Sequence, residues 1–276
     1  MDFWLLILTL ACYFLATLIW LGYLWFHKDE LHRYGSWVVG IGWCCHSLSL
    51  ILQTVAQGFF PVANLGGTLS LFSWTLVTAF LILNWRYPVK VLGALVTPMA
   101  ALMLCGALIL PRPGAIPPLL QSFWLTFHVA AALLGNAAFT LAFLGGILYL
   151  VQEHQLKSKK FGFFYKRLPS LEMLDALNYY CITIGFVLLT LGIITGSLYA
   201  QYTLGAFWQW DPKETMTLIA WLLYAGLLHE RLVKGWRGRR AALLAIAGFM
   251  VLMVTFVGAD FWQRGYHRFG DFGRLP

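Results

Sequence analysis

Apolar runs of about 20 residues recur from one end of the chain to the other. FWLLILTLACYFLATLIWLGYLWF at 3–26 and AALLAIAGFMVLMVTFVGA at 241–259 are two of them. A helix rises about 1.5 Å per residue, so such a run crosses a hydrocarbon core of roughly 30 Å. In that solvent every backbone N–H and C=O must be satisfied internally, which leaves helices or closed barrels. Barrel strands would alternate and run about 10 residues, and no such alternation is present. Charged residues make up 11% of the chain and mean hydropathy is +0.74, against roughly 25% charged in a globular protein. The expected fold class is therefore all-α, a polytopic membrane protein.

Eight spans are expected, at about 3–26, 36–57, 65–84, 90–110, 121–151, 173–200, 214–233 and 241–262. Turn-forming stretches separate them, among them GFFPVANLGG (58–67), PRPGAIPP (111–118) and KGWRGRR (234–240). The fifth span is too long for one crossing, so one of its ends should stand clear of the bilayer. The first span has no basic stretch before it and reads as retained rather than as a signal peptide. With no long polar segment, residues 1–276 read as a single integral membrane domain. Cys12, Cys44, Cys45, Cys105 and Cys181 all fall in apolar runs without a CxxC pair. That pattern suits small core residues better than a disulfide framework or a zinc site.

Basic residues set the orientation. Fourteen of the 19 Lys and Arg fall in the loops joining spans 1–2, 3–4, 5–6 and 7–8. Those loops are expected in the cytoplasm, with both termini on the outer side. The net charge of +8 is thereby a topogenic signal, and no nucleic-acid partner is needed to account for it.

The outer loop between spans six and seven, at about 201–213, contains LGAFWQWDPKET. Asp211 suits a helix N-cap, Pro212 the first helical position and Glu214 the first turn. Helix capping leaves Trp208 and Trp210 unexplained, although tryptophans also populate membrane interfaces. Histidines add a second signal. His27, His32 and His154 read as solvated residues of charged loops. His128 opens the outer part of span five, and His267 lies just past the outer end of span eight. His229 lies in the inner part of span seven, and His46 near the middle of span two. Imidazole in a membrane faces a partner or a cavity. Two imidazoles from different helices can ligate haem iron axially, aromatic side chains can pack on the porphyrin, and Arg or Lys can meet its propionates. Each of these histidines also has the plainer reading of a satisfied core or interfacial group.

GAFWQWDPKET, AWLLYAGLLHER, GWRGRRAA and the terminal YHRFG, with FHVAAALLGNAAF in span five, resemble the CcsA (ResC) proteins of system II cytochrome c biogenesis. These belong to the haem-handling superfamily named for its tryptophan-rich WWD loop. The resemblance covers essentially the whole chain. It implies eight spans, a CcsB (ResB) partner in the inner membrane, and haem b carried to the outer face for thioether attachment to the CxxCH motif of apocytochrome c. Carried over by position, His128 and His267 match the outer haem ligands, and His229 the membrane ligand of an inner site. Trp208, Trp210 and Asp211 match the WWD signature. His46 is a competing inner ligand. Where the family commonly has W-G, this chain has Leu204-Gly205, and Asp260 replaces an asparagine near the end of span eight. The resemblance implies no nucleophile of the chain's own, since the thiols belong to the apocytochrome, so whether the chain counts as an enzyme turns on definition. Three other classes share parts of this outline. They are a b-type haem electron-transfer subunit, an eight-span regulator or scaffold of tetrapyrrole metabolism, and a transporter with broken helices.

Overall fold

The computed structural model describes residues 2–61, 64–87, 89–110, 122–159, 162, 165 and 167–261, with residues 2 and 255–261 as backbone only. Every regular element among them is helical: α1 (Asp2–Phe26), α2 (Asp29–Gln57), α3 (Leu65–Arg86), α4 (Gly93–Ile109), α5 (Phe123–Lys157), α6 (Leu171–Leu204), α7 (Pro212–Lys234) and α8 (Arg239–Phe261). A single 3-10 turn, Lys90–Leu92, precedes α4. Seven of the helices are long and apolar enough, over their described residues, to cross a membrane.

Most helix ends fall within a few residues of expectation, and the differences have local causes. α2 begins at Asp29 rather than near 36, because Asp29 and Glu30 occupy its first turn, where carboxylates favour the helix N-terminus. α5 runs on as one 35-residue helix, about 52 Å long at 1.5 Å per residue. α6 gains an extra turn and stops at Gly205, whose φ of +74° and N–H bond to the Gln201 carbonyl, 3.1 Å, form a left-handed glycine cap. The loop to α7 is thereby shorter than expected. Two of the three loop histidines are helical instead. His154 lies in α5 and His32 in α2, where His32 is half-buried against Trp20 and Tyr23. Among the cysteines only Cys181 is buried, and Cys44 is exposed. In lipid a thiol is apolar enough to face outward.

The helices form two compact units. Residues 1–113 and 152–170 make the first, and 114–151 with 171–276 the second. In the first, Trp20 of α1 is fully buried, its indole laid over Gly35 of α2 and Gly93 of α4. A Cβ on Gly35 would come within 3.1 Å of the ring; small residues allow this approach where hydrophobicity no longer drives helices together. Lys90 pairs with Asp29 at 2.7 Å, and Arg167 donates to the Trp25 carbonyl at 3.1 Å. Turns 1–2 and 3–4 and the end of the 5–6 connection thus share one end of this unit.

In the second unit α5 and α6 pack antiparallel through small residues. Gly135 lies against Gly185 and Leu189, Gly192 against Ala132, and Gly196 against His128. Tyr224 of α7 stacks on Phe139 of α5, 3.8 Å between centroids, and is closed over by Gly248 of α8.

Candidate functional site

His128 sits in the second turn of α5, facing α6. Its Nδ1 lies 2.8 Å from the Gly192 carbonyl oxygen, so Nδ1 carries the proton and donates it. The lone pair is then on Nε2, the tautomer a metal-binding imidazole needs. Gly196 supplies the room: a Cβ there would lie 2.6 Å from Cε1 and 2.8 Å from Nδ1 of the ring. One turn earlier on α5, the Trp124 indole N–H donates to the Thr195 carbonyl at 3.1 Å. Thr195 Oγ1 donates to Leu191 O at 2.7 Å and to Gly192 O at 3.2 Å. The segment 192–196 of α6 thus receives the side chains of both Trp124 and His128.

The tryptophan loop lies at the same end of this unit, because α6 continues from Gly196 for eight residues, about 12 Å, before the loop opens. Trp208 and Trp210 meet edge to face, 6.1 Å between centroids and 82° between planes. Trp210 is 73% exposed and takes φ +57°, a conformation rare for a bulky side chain. Asp211, only 5% exposed, caps α7. Its carboxylate accepts from Lys213 N at 2.7 Å, and Glu214 closes the reciprocal half of a capping box. Capping by Asp211, with Pro212 in the first turn, agrees with the sequence reading.

His229 is near the other end of α7, 18 residues beyond Asp211 and about 27 Å along the helix. It is exposed, one turn after Gly226, where a Cβ would meet nothing within 4 Å. The ring lines an open apolar groove of about 530 Å³ with Leu222, Leu223, Gly226 and Leu244. Beside it, Arg231 makes a two-pronged ion pair with Asp175 of α6, at 2.7 and 3.1 Å. Asp175 also accepts from Gly238 N at 2.7 Å, and the Arg231 guanidinium lies 4.4 Å from the Tyr179 ring centroid. That junction fastens together the start of α6, the end of α7 and the turn into α8.

His46 is in the first unit, fully buried. Its Nε2 is 3.0 Å from Ser70 Oγ and its Nδ1 is 3.3 Å from Tyr13 OH, the geometry of a packed core histidine. His267 lies outside the described residues. The structure thus places His128 and the tryptophan loop at one end of one unit, His229 at that unit's other end, and His46 in the other unit. Sequence reasoning did not single out Gly192, Thr195, Gly196 or Asp175. A helical GxxTG in the span that follows a span histidine, and an aspartate near the start of a span, are the signals that could have found them. Among the described residues no three of His, Cys, Asp and Glu converge as a metal cluster.

Apolar spanning helices with polar side chains held at their ends define a polytopic helical membrane protein. Residues 62–267 match the family described as cytochrome C assembly protein. A cytochrome c biogenesis protein CcsA from Guillardia theta is 35% identical over 259 residues, covering 86% of this chain and 85% of its own. Its counterparts from Prochlorococcus marinus and Synechococcus sp. are 35% and 34% identical, each over 81% of this chain and over 79% and 82% of their own lengths. The chain belongs to the CcsA family of cytochrome c assembly proteins.

Proposed function

We propose that the chain acts in cytochrome c biogenesis by binding haem b, moving it across the inner membrane and presenting it on the outer side. There, apocytochrome c would receive it at CxxCH, each cysteine S–H adding across a vinyl group. His128 and His267 are the outer ligands in this reading, with Trp208 and Trp210 covering the ring and Asp211 holding the loop. His229 is the inner ligand. Its exposure on an apolar groove suits a second ligand brought by a CcsB-type partner. The basic loops on the His229 side support a cytoplasmic position for that end by the positive-inside rule.

The observation that carries the reading is His128 itself. A membrane imidazole whose Nδ1–H is donated to the Gly192 carbonyl, 2.8 Å away, is held in the tautomer with its lone pair on Nε2. It lies at the end of the unit where two tryptophans form a loop. Purification with and without a co-expressed CcsB-type protein, followed by oxidised and reduced absorption spectra, tests it. His128→Ala and His267→Ala should abolish low-spin haem at the outer site while the protein still inserts. An unchanged reduced spectrum in the double variant would show the assignment to be mistaken.

A further inference from the structure

We propose that Glu214 is a positioning residue for Trp210, so that the acidic end of the WxWDPKE motif holds its aromatic half in place. Glu214 Oε2 accepts two backbone bonds, from Gln209 N at 2.9 Å and from Asp211 N at 3.3 Å. The residue between those two amides is Trp210, at φ +57°. A helix capping box accounts for the bond to Asp211. It does not account for the shorter bond to Gln209, two residues before the N-cap.

The geometry explains why both amides reach one oxygen. Backbone N–H groups in an αR-αL or turn conformation can point into one concavity that binds an anion, and here the amides on either side of left-handed Trp210 share one oxygen. Here the anion is the protein's own carboxylate, placed where the N-terminus of α7 also favours negative charge. A bulky residue keeps such a conformation only where its surroundings over-determine it. The clasp therefore forces the turn, and the turn sends the Trp210 indole outward with Trp208 against it. Without the carboxylate the two amides lose their shared acceptor, and Trp210 returns to negative φ with its indole redirected. The consequence for haem rests on the loop being the outer cover proposed above; the clasp does not.

The test uses the purified full chain carrying Glu214→Ala or Glu214→Gln, each alone and with Trp210→Gly. Glycine takes a positive φ at no steric cost, so it removes the need for a clasp. Glu214→Ala should lower the melting temperature by roughly 2–4 °C with Trp210 present, and by less than half as much in the Trp210→Gly background. Glu214→Gln, whose carboxamide oxygen can still accept both bonds, should retain most of the stability. Equal losses in the two backgrounds would reduce Glu214 to a helix cap and overturn the proposal. Haem retained per chain is measured on the same proteins. A several-fold loss in Glu214→Ala, largely restored in Glu214→Gln, extends the clasp to the haem site. The background dependence with haem retention unchanged would uphold the clasp and count against the haem-cover reading.

Discussion

His128 takes its orientation from two glycines on the facing helix, and they act differently. Gly192 contributes its carbonyl, whereas Gly196 contributes the absence of a side chain. Gly196→Ala would put a methyl 2.6 Å from the ring, so the imidazole must leave its place or the helices must part. We expect a cost of about 1–3 kcal/mol, the usual range for overpacking, and a loss of haem retained per chain. Gly192→Ala serves as the control, because its methyl would meet Ala132 at 3.4 Å and the carbonyl would remain. If both variants kept haem equally, the Gly196 gap would have no part in holding the proposed ligand. His46 marks the contrast at this scale. Hydroxyls of Ser70 and Tyr13 meet both its nitrogens, so its polarity is satisfied inside the helix packing.

At the scale of elements, Asp175 joins the start of α6 to the end of α7 and the turn into α8. Its carboxylate serves the Arg231 guanidinium and the Gly238 amide together, and both charged side chains are largely buried, at 12% exposed for Arg231 and 15% for Asp175. Removing one member of a buried pair strands the other, a loss of about 3–5 kcal/mol. Asp175→Ala should therefore lower the melting temperature sharply, while the combined Asp175→Leu and Arg231→Met replacement should recover much of it. A single variant as stable as the parent would mean that Arg231 finds another acceptor. The sequence showed most helix ends to within a few residues, because apolar runs, prolines and glycines punctuate them. It did not show Asp175 pairing with Arg231, because that bond depends on which faces of α6 and α7 meet. In lipid a span is apolar all round, so no amphipathic phase tells the inner face from the outer.

For the whole molecule, the distance along α7 keeps the two proposed histidine sites apart. His229 lies about 27 Å from the Asp211 cap along the helix axis, too far for one haem to serve both ends. Changes at well-separated positions act independently. His128→Ala and His229→Ala should thus each remove a different part of the bound haem, and the double variant should remove the sum. A single substitution that emptied both sites would show them to be coupled.

Sequence alone determined the class of fold, the number of long helices, the family and the placement of His46, His128 and His229 within their spans. Those properties follow from hydropathy and from motifs contiguous in the chain. Tertiary structure decided that His128 is held by a carbonyl of α6, that His46 is enclosed by hydroxyls of α1 and α3, and that Glu214 reaches back past Asp211 to Gln209. Each of these depends on where one side chain lands against a backbone or a neighbouring helix, and no local pattern of residues encodes that placement.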